Sequence, residues 1–217
     1  LAVAEQVLLH PTFPEEELRT YCAKRKQRLA IERTKVDVEA REAFARALFG
    51  ERHPYSVSSH EEAYDSLTRE DVAGFYKRFY TAENCFVVCS GRIGDHEMKA
   101  VAELAGRIPR GAAEAPPVFP APETTHAAFV EYPGAVQSSL RIGRLLFPRT
   151  HPDFLGMQVV ATALGGYFGS RLMQNLREEH GYTYGVVSAM VNFEREGYFA
   201  VAAQVGADVT QEALREI

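Results

Sequence analysis

The chain contains no tryptophan and only three cysteines, Cys22, Cys85 and Cys89. An odd, sparse set without C-x-x-C spacing excludes a disulfide framework and a cysteine-rich zinc knot. No apolar run approaches the roughly 18–20 residues needed to cross a bilayer, so no membrane span is expected. The opening LAVAEQVLLHP lacks the basic start and apolar stretch of a signal peptide and reads as part of a helix within a longer polypeptide. There is no G-x-S-x-G elbow, no P-loop and no dinucleotide-binding glycine fingerprint. Helical zinc motifs need two histidines one turn apart, so that both face the metal. Among His10, His53, His60, His96, His126, His151 and His180 no two are four apart. His60-Glu61-Glu62-Ala63-Tyr64 comes nearest, with Tyr64 where the second histidine would stand, and it reads as a solvent-facing turn. The sequence therefore predicts no metal site in this chain.

Net charge is −5, which argues against a nucleic-acid surface. Lys24, Arg25, Lys26 and Arg28 form a basic cluster, read as a solvated helix face. The 217 residues, 46% hydrophobic and 24% charged, suit one large globular domain or two modest ones.

Periodicity supplies the elements. Thr12–Glu17 reads as a helix start, with Pro14 in the first turn and three glutamates at the positive dipole end. That helix is expected to reach about Thr34, and Asp37 starts another that ends at Gly50 and His53-Pro54-Tyr55. Thr68 and Asp71 form a capping-box variant ahead of Val72, Phe75, Tyr76 and Phe79. Asn84–Ser90 reads as a buried strand with Cys85 and Cys89 on one side, followed by a helix over Asp95–Ile108. Five prolines between Pro109 and Pro122 then mark an interdomain linker.

Beyond the linker the expected order is strand His126–Tyr132, strand Gln137–Phe147, helix Asp153–Leu164, helix Ser170–His180, hairpin Tyr184–Phe193 with Gly197–Val205, and a helix from Asp208. Helices packed on hairpin-connected strands imply an α+β fold with an antiparallel sheet. Leu164–Val186, LGGYFGSRLMQNLREEHGYTYGV, is the richest stretch: a glycine turn, a helix bearing Arg177 near its end, and a strand that opens on Tyr184. From the residues alone, Arg177 is a helix-end cation favoured by the dipole and Tyr184 a half-buried strand aromatic. The Gly165-Gly166 turn reads as a hinge rather than a phosphate cradle.

That stretch resembles the pattern LGGG-x-x-SRL-x-x-x-LRE-x-x-GL-x-Y-x-V of the pitrilysin/insulinase-type zinc metallopeptidases, which include mitochondrial processing peptidase and the core subunits of the respiratory bc1 complex. HPTFPEEEL, LFGERHPYS and LTREDVAGFYKRFYTAENCFVVCSG agree with the same family, so the resemblance covers nearly the whole chain. It implies a fold of the LuxS/mitochondrial processing peptidase type, cut as two consecutive half-domains. Residues 1–108 would be the C-terminal half of a first metallopeptidase-like domain, 109–123 the linker, and 124–217 the N-terminal half of a second.

The resemblance makes Arg177, Tyr184, Gly165 and Gly166 substrate-holding residues. The guanidinium would donate to peptide carbonyls and the phenol to a developing oxyanion, a donor worth ~3–4 kcal/mol in the transition state. The family's third zinc ligand, a glutamate, maps near Leu29–Ile31, where no residue binds zinc, and Glu32 is the nearest carboxylate. The implied protein is a non-catalytic bacterial member or inactive half. It would hold an extended peptide or protein substrate and pair with a homologous subunit or with its own missing half. Zinc would lie elsewhere in the full-length protein or in the partner. The alternatives are an active zinc endopeptidase whose H-x-x-E-H segment lies outside this chain, and a structural core-type subunit.

Overall fold

A computed structural model describes residues 2–112 and 118–217. Positions 113–117, which include Pro116 and Pro117 of the expected linker, lie outside the described residues. The helices are α1 (Ala2–Leu9), α2 (Glu15–Glu32), α3 (Val36–Phe49), α4 (Glu61–Ser66), α5 (Arg69–Phe79), α6 (Asp95–Ala105), α7 (Phe154–Ala161) and α8 (Thr210–Glu216). The strands are β1 (Gln137–Leu146), β2 (Thr183–Asn192) and β3 (Gly197–Gly206). Mixed helices and an antiparallel sheet make the fold α+β. Contacts divide the chain into two interleaved units, Leu1–Leu29 with Ser59–Val118, and Ala30–Ser58 with Phe119–Ile217.

The first unit is helical and is held largely by polar ties. Thr68 Oγ1 accepts the Asp71 N–H at 3.1 Å, and the Asp71 carboxylate accepts the Thr68 N–H at 2.9 Å, closing the expected capping box of α5. The Thr68 hydroxyl lies 2.5 Å from the Asp71 carboxylate, and its hydrogen bond there, followed by that of the Thr68 N–H, holds the Asp71 carboxyl below its ordinary pKa. Arg69 donates to the carbonyls of Phe13 (2.9 Å) and Thr12 (3.2 Å), and the Tyr76 hydroxyl donates to Leu8 O at 2.5 Å. Arg107 pairs with Glu5 at 2.7 Å.

Two expectations fail. Asn84–Ser90 forms no strand; its first residue closes a short 3-10 turn, Ala82–Asn84, whose end is capped by Cys85 N–H donating to Ala82 O at 3.3 Å, and the segment joins no ladder. Cys85 and Cys89 are exposed rather than buried, and Phe86 is 88% exposed. His126–Tyr132 is likewise not a strand, and Phe129 is 90% exposed. A short apolar run has the tendency to pair, but a strand exists only where a neighbour completes the ladder. Neither segment has such a neighbour among the described residues.

The second unit contains a three-stranded antiparallel sheet in the order β1-β3-β2. Leu140 pairs with Ala203 and Ser188 with Val201. Alternation sends Leu140, Val186, Val201, Ala203 and Val205 to one face, where they meet Leu172, Met173, Leu176 and Ala213. A fully buried leucine such as Leu176 contributes roughly 1.5–3 kcal/mol by burial alone.

The other face carries α3. Asp37 pairs with Arg141 at 2.6 Å, and Phe44 meets Tyr198 edge-on with ring centroids 5.7 Å apart. Beyond α3, His53 is almost fully buried and stacks on Phe49, its Nδ1 accepting the Tyr55 N–H at 3.1 Å. Tyr55 stacks in turn on Phe193 at 4.0 Å. The HPY segment thus ends α3 by building an aromatic cluster. The segment after Phe119 lies along the end of α3, where Glu123 N–H donates to Phe49 O (3.1 Å) and Thr125 N–H to Ala47 O (2.7 Å), satisfying terminal helix carbonyls.

Candidate functional site

Leu164–Val186 does not continue the α-helical register expected of it. α7 passes into a π-helical turn, Thr162–Gly166, and after the glycine turn a second π-helical stretch covers Met173–Glu179. His180 N–H reaches back five residues to Asn175 O at 3.1 Å. Gly181, at φ 66°, then ends the helix in the left-handed region that glycine tolerates best. Wide π turns of this kind concentrate at functional sites.

Close contact with β2 fixes the first π turn. Ser188 Oγ donates to Ala161 O at 2.6 Å in a buried position. Gly165, at φ −156° and ψ 15°, breaks the helical path directly against Ser188; a Cβ there would lie 2.7 Å from Ser188 N. Gly165 is therefore a packing requirement as well as a groove residue, whereas Gly166 is exposed. Ser170 N–H donates to Tyr167 O at 3.0 Å, and the Ser170 hydroxyl is buried without a partner.

The start of β2 is irregular. Thr183 pairs with Val205 and Val186 with Ala203, so an extra residue of β2 is accommodated between them. Thr183 stabilises this bulge. Its hydroxyl oxygen lies 2.6 Å from Gln204 O and 2.8 Å from Gly185 O, and it accepts the Gly185 N–H at 3.1 Å. Bulges re-aim side chains, and here Tyr184 is 89% exposed. That corrects the half-buried strand aromatic expected from the residues alone.

Arg177 is half-buried, and its guanidinium carbon lies 4.7 Å from the centre of the Phe168 ring. Among the described residues it forms no salt bridge, although Glu178 and Glu179 follow it. Arg177 and Tyr184 make no hydrogen bond to one another.

An open groove of about 450 Å³ brings together the turn and the start of β2, and Arg177 adjoins it through Phe168. Its walls include Gly165, Gly166, Tyr167, Phe168, Tyr184 and Val187, and Asp37 and Gln204 also line it. The charge of Asp37 is matched by Arg141, leaving Arg177, beside Phe168, as an unmatched cation. Sequence reasoning brought out Arg177, Tyr184, Gly165 and Gly166 but missed Tyr167, Phe168 and Thr183. The adjacent aromatic pair inside GGYFGS was the available signal for the first two.

No three His, Cys, Asp or Glu side chains among the described residues converge where a metal could sit. Glu32, the last residue of α2, belongs to no such group of three. The described residues do not fit a zinc site.

The family profile described as the peptidase M16 inactive domain matches residues 66–217. The chain belongs to the M16 peptidase family. It is 32% identical over 170 residues to an uncharacterized zinc protease of Mycobacterium leprae, spanning 74% of this chain and 37% of that protein. A second uncharacterized zinc protease, from Bacillus subtilis, is 25% identical over 226 residues, spanning 100% of this chain and 53% of that protein. The M16 chain thus covers about half or less of the length of these bacterial relatives. The crystal structure of a peptidase M16 inactive domain from Pseudomonas fluorescens superposes with a TM-score of 0.88 at 26% identity, covering 97% of this chain and 52% of that one. The first half of the periplasmic protease PqqL from Escherichia coli shares the fold at a TM-score of 0.66 and 17% identity, covering 98% of this chain and 47% of that one. No helix among the described residues of this M16 chain is long and apolar enough to cross a membrane.

Proposed function

We propose that this M16 chain is the non-catalytic, peptide-holding portion of a zinc protease-like protein, with Arg177, Tyr184 and the Gly165-Gly166 turn as its grip on an extended peptide. One observation carries the reading: the β2 bulge projects Tyr184 into solvent beside an apolar groove, one of whose walls, Phe168, carries the guanidinium of Arg177 on its ring. Arg177 would donate to backbone carbonyls of the peptide, its planar fork suiting several acceptors at once. Tyr184 would donate to a carbonyl or a developing oxyanion presented by an opposing active half.

The same reading assigns residues 1–108 to the latter half of one metallopeptidase-like domain, 109–123 to a linker and 124–217 to the first half of another. The exposed apolar segments around Phe86 and Phe129 would then be covered by the remainder of a longer protein or by a homologous subunit. Zinc, which the names of the bacterial relatives imply for those proteins, would be held outside this chain. An active endopeptidase assembled from this chain and a zinc-bearing remainder is the second reading, favoured by the chain's partial coverage of those relatives.

The test is Arg177→Ala. It is expected to weaken binding of extended peptides by about tenfold, the loss of one or two charge-assisted hydrogen bonds, while the circular dichroism spectrum stays unchanged. Unchanged peptide affinity removes the substrate role of Arg177.

A further inference from the structure

The Phe168 ring does two things at once. One part of it receives the Arg177 guanidinium at 4.7 Å, while the side chain as a whole stays 62% exposed and lines the groove. A single exposed aromatic ring is ordinary, but contiguous exposed apolar side chains mark surfaces that bind. Tyr167, beside it, is also largely exposed in the same groove. The glycines on either side, Gly166 and Gly169, leave the aromatic pair without bulky neighbours in the turn.

Charge decides what else the groove favours. Asp37 is the carboxylate in its lining and is already paired with Arg141, and Arg177 has no anionic partner among the described residues. A ligand that lays an apolar side chain on the open part of Phe168 brings its neighbouring groups toward an uncompensated guanidinium. Spacing then follows from extended geometry: residues two apart share a face of an extended peptide. An apolar side chain and a carboxylate at i and i+2 would therefore both face this surface.

We propose that Phe168 and Arg177 form a composite subsite that selects extended peptides carrying an aromatic or branched apolar residue and, two positions away, an acidic one. Phe168 is a positioning residue for Arg177 as well as a contact surface. By holding the guanidinium over its ring, it limits the arginine's rotamers and presents the remaining N–H donors to the ligand. This rests on the peptide-holding reading above and adds a substrate class to it.

Three short fluorescein-labelled peptides on a common Gly-Ser frame test it by anisotropy on the 217-residue chain. One contains Phe-x-Glu, one Phe-x-Gln and one Ala-x-Glu. The Phe-x-Glu peptide is expected to bind about tenfold more tightly than either control, and its advantage over Phe-x-Gln to shrink as salt is raised. Phe168→Ala is expected to erase the preference for Phe over Ala and to reduce the preference for Glu over Gln, and Phe168→Tyr to preserve both. Should Phe168→Ala fail to fold, the peptide series on the unmodified chain and on Phe168→Tyr decides the matter. Equal binding of all three peptides overturns the subsite but leaves peptide holding intact. Binding of none overturns both.

Discussion

Gly165→Ala is the sharpest test of how the groove is built. The new methyl group would sit 2.7 Å from Ser188 N, 2.9 Å from Ser188 Oγ and 3.1 Å from Ser188 Cβ. Relaxed carbon contacts lie at roughly 3.5–4 Å, so something must retreat by more than half an ångström. Ser188 is poorly able to do so, because its backbone is paired with Val201 in the sheet. The turn must move instead, and its movement pulls Ala161 O away from the buried Ser188 hydroxyl that donates to it. Overpacking costs about 1–3 kcal/mol, and a stranded buried hydrogen-bonding group adds about 1 kcal/mol or more. The expected loss is ~2–4 kcal/mol, a fall in Tm of roughly 5–10 °C for a chain of this size. Urea and thermal unfolding followed by circular dichroism measure it. Two neighbours serve as controls. At Gly166 the nearest atoms to the added methyl belong to the exposed Thr162 side chain, at 3.2 Å, which can give by a few tenths of an ångström. At Gly185 it meets nothing within 4 Å. Both controls are expected to stay within about 1 kcal/mol of the parent. If Gly165→Ala also does, the close approach of turn and strand is not what shapes the site.

Thr183→Val keeps the side-chain volume but removes the hydroxyl that accepts the Gly185 N–H and lies 2.6 Å from Gln204 O. It is expected to cost about 1–3 kcal/mol and to weaken peptide binding, with hydrogen exchange at Gly185 rising; unchanged exchange there refutes the role given to Thr183. Burial raises the Tyr198 phenol pKa, an effect that nearby Arg141 and Arg41 oppose. The neutral phenol's contribution to stability is therefore fully present below the unfolded value of about 10 and is lost as pH rises through the folded value. Tyr198→Phe should flatten the decline in urea midpoint above pH ~10, and an identical decline in the variant removes this assignment. The isolated chain is expected to retain no stoichiometric zinc after desalting, measured by plasma mass spectrometry. One tight zinc per chain that disappears in Glu32→Gln refutes that expectation.

The hairpin of β2 and β3, strand β1 and the α5 capping box were legible because each is encoded within a few residues: alternating side chains around a short turn, or Thr68 and Asp71 three apart. Segments 84–90 and 126–132 are short apolar runs of strand length but show no ladder, since pairing depends on partners that local sequence does not describe. The first π turn was hidden for a related reason. Its register is tied to Ser188 Oγ and Ala161 O, 27 positions apart, and no helical periodicity reports that contact.

Tyr184 combines both situations. Alternation counted back from buried Ser188 and Val186 places Tyr184 on the core face. The extra residue between Thr183 and Val186 changes the parity, so Thr183 takes the buried place opposite Val205 and Tyr184 leaves the core. An intact ladder would bury the phenol against Leu176 and its neighbours, where it could touch no ligand. The exposed tyrosine, and with it the candidate site, thus depends on a one-residue irregularity held by the Thr183 hydroxyl. This is why loss of that hydroxyl should be felt at Tyr184 even though the two side chains need not touch.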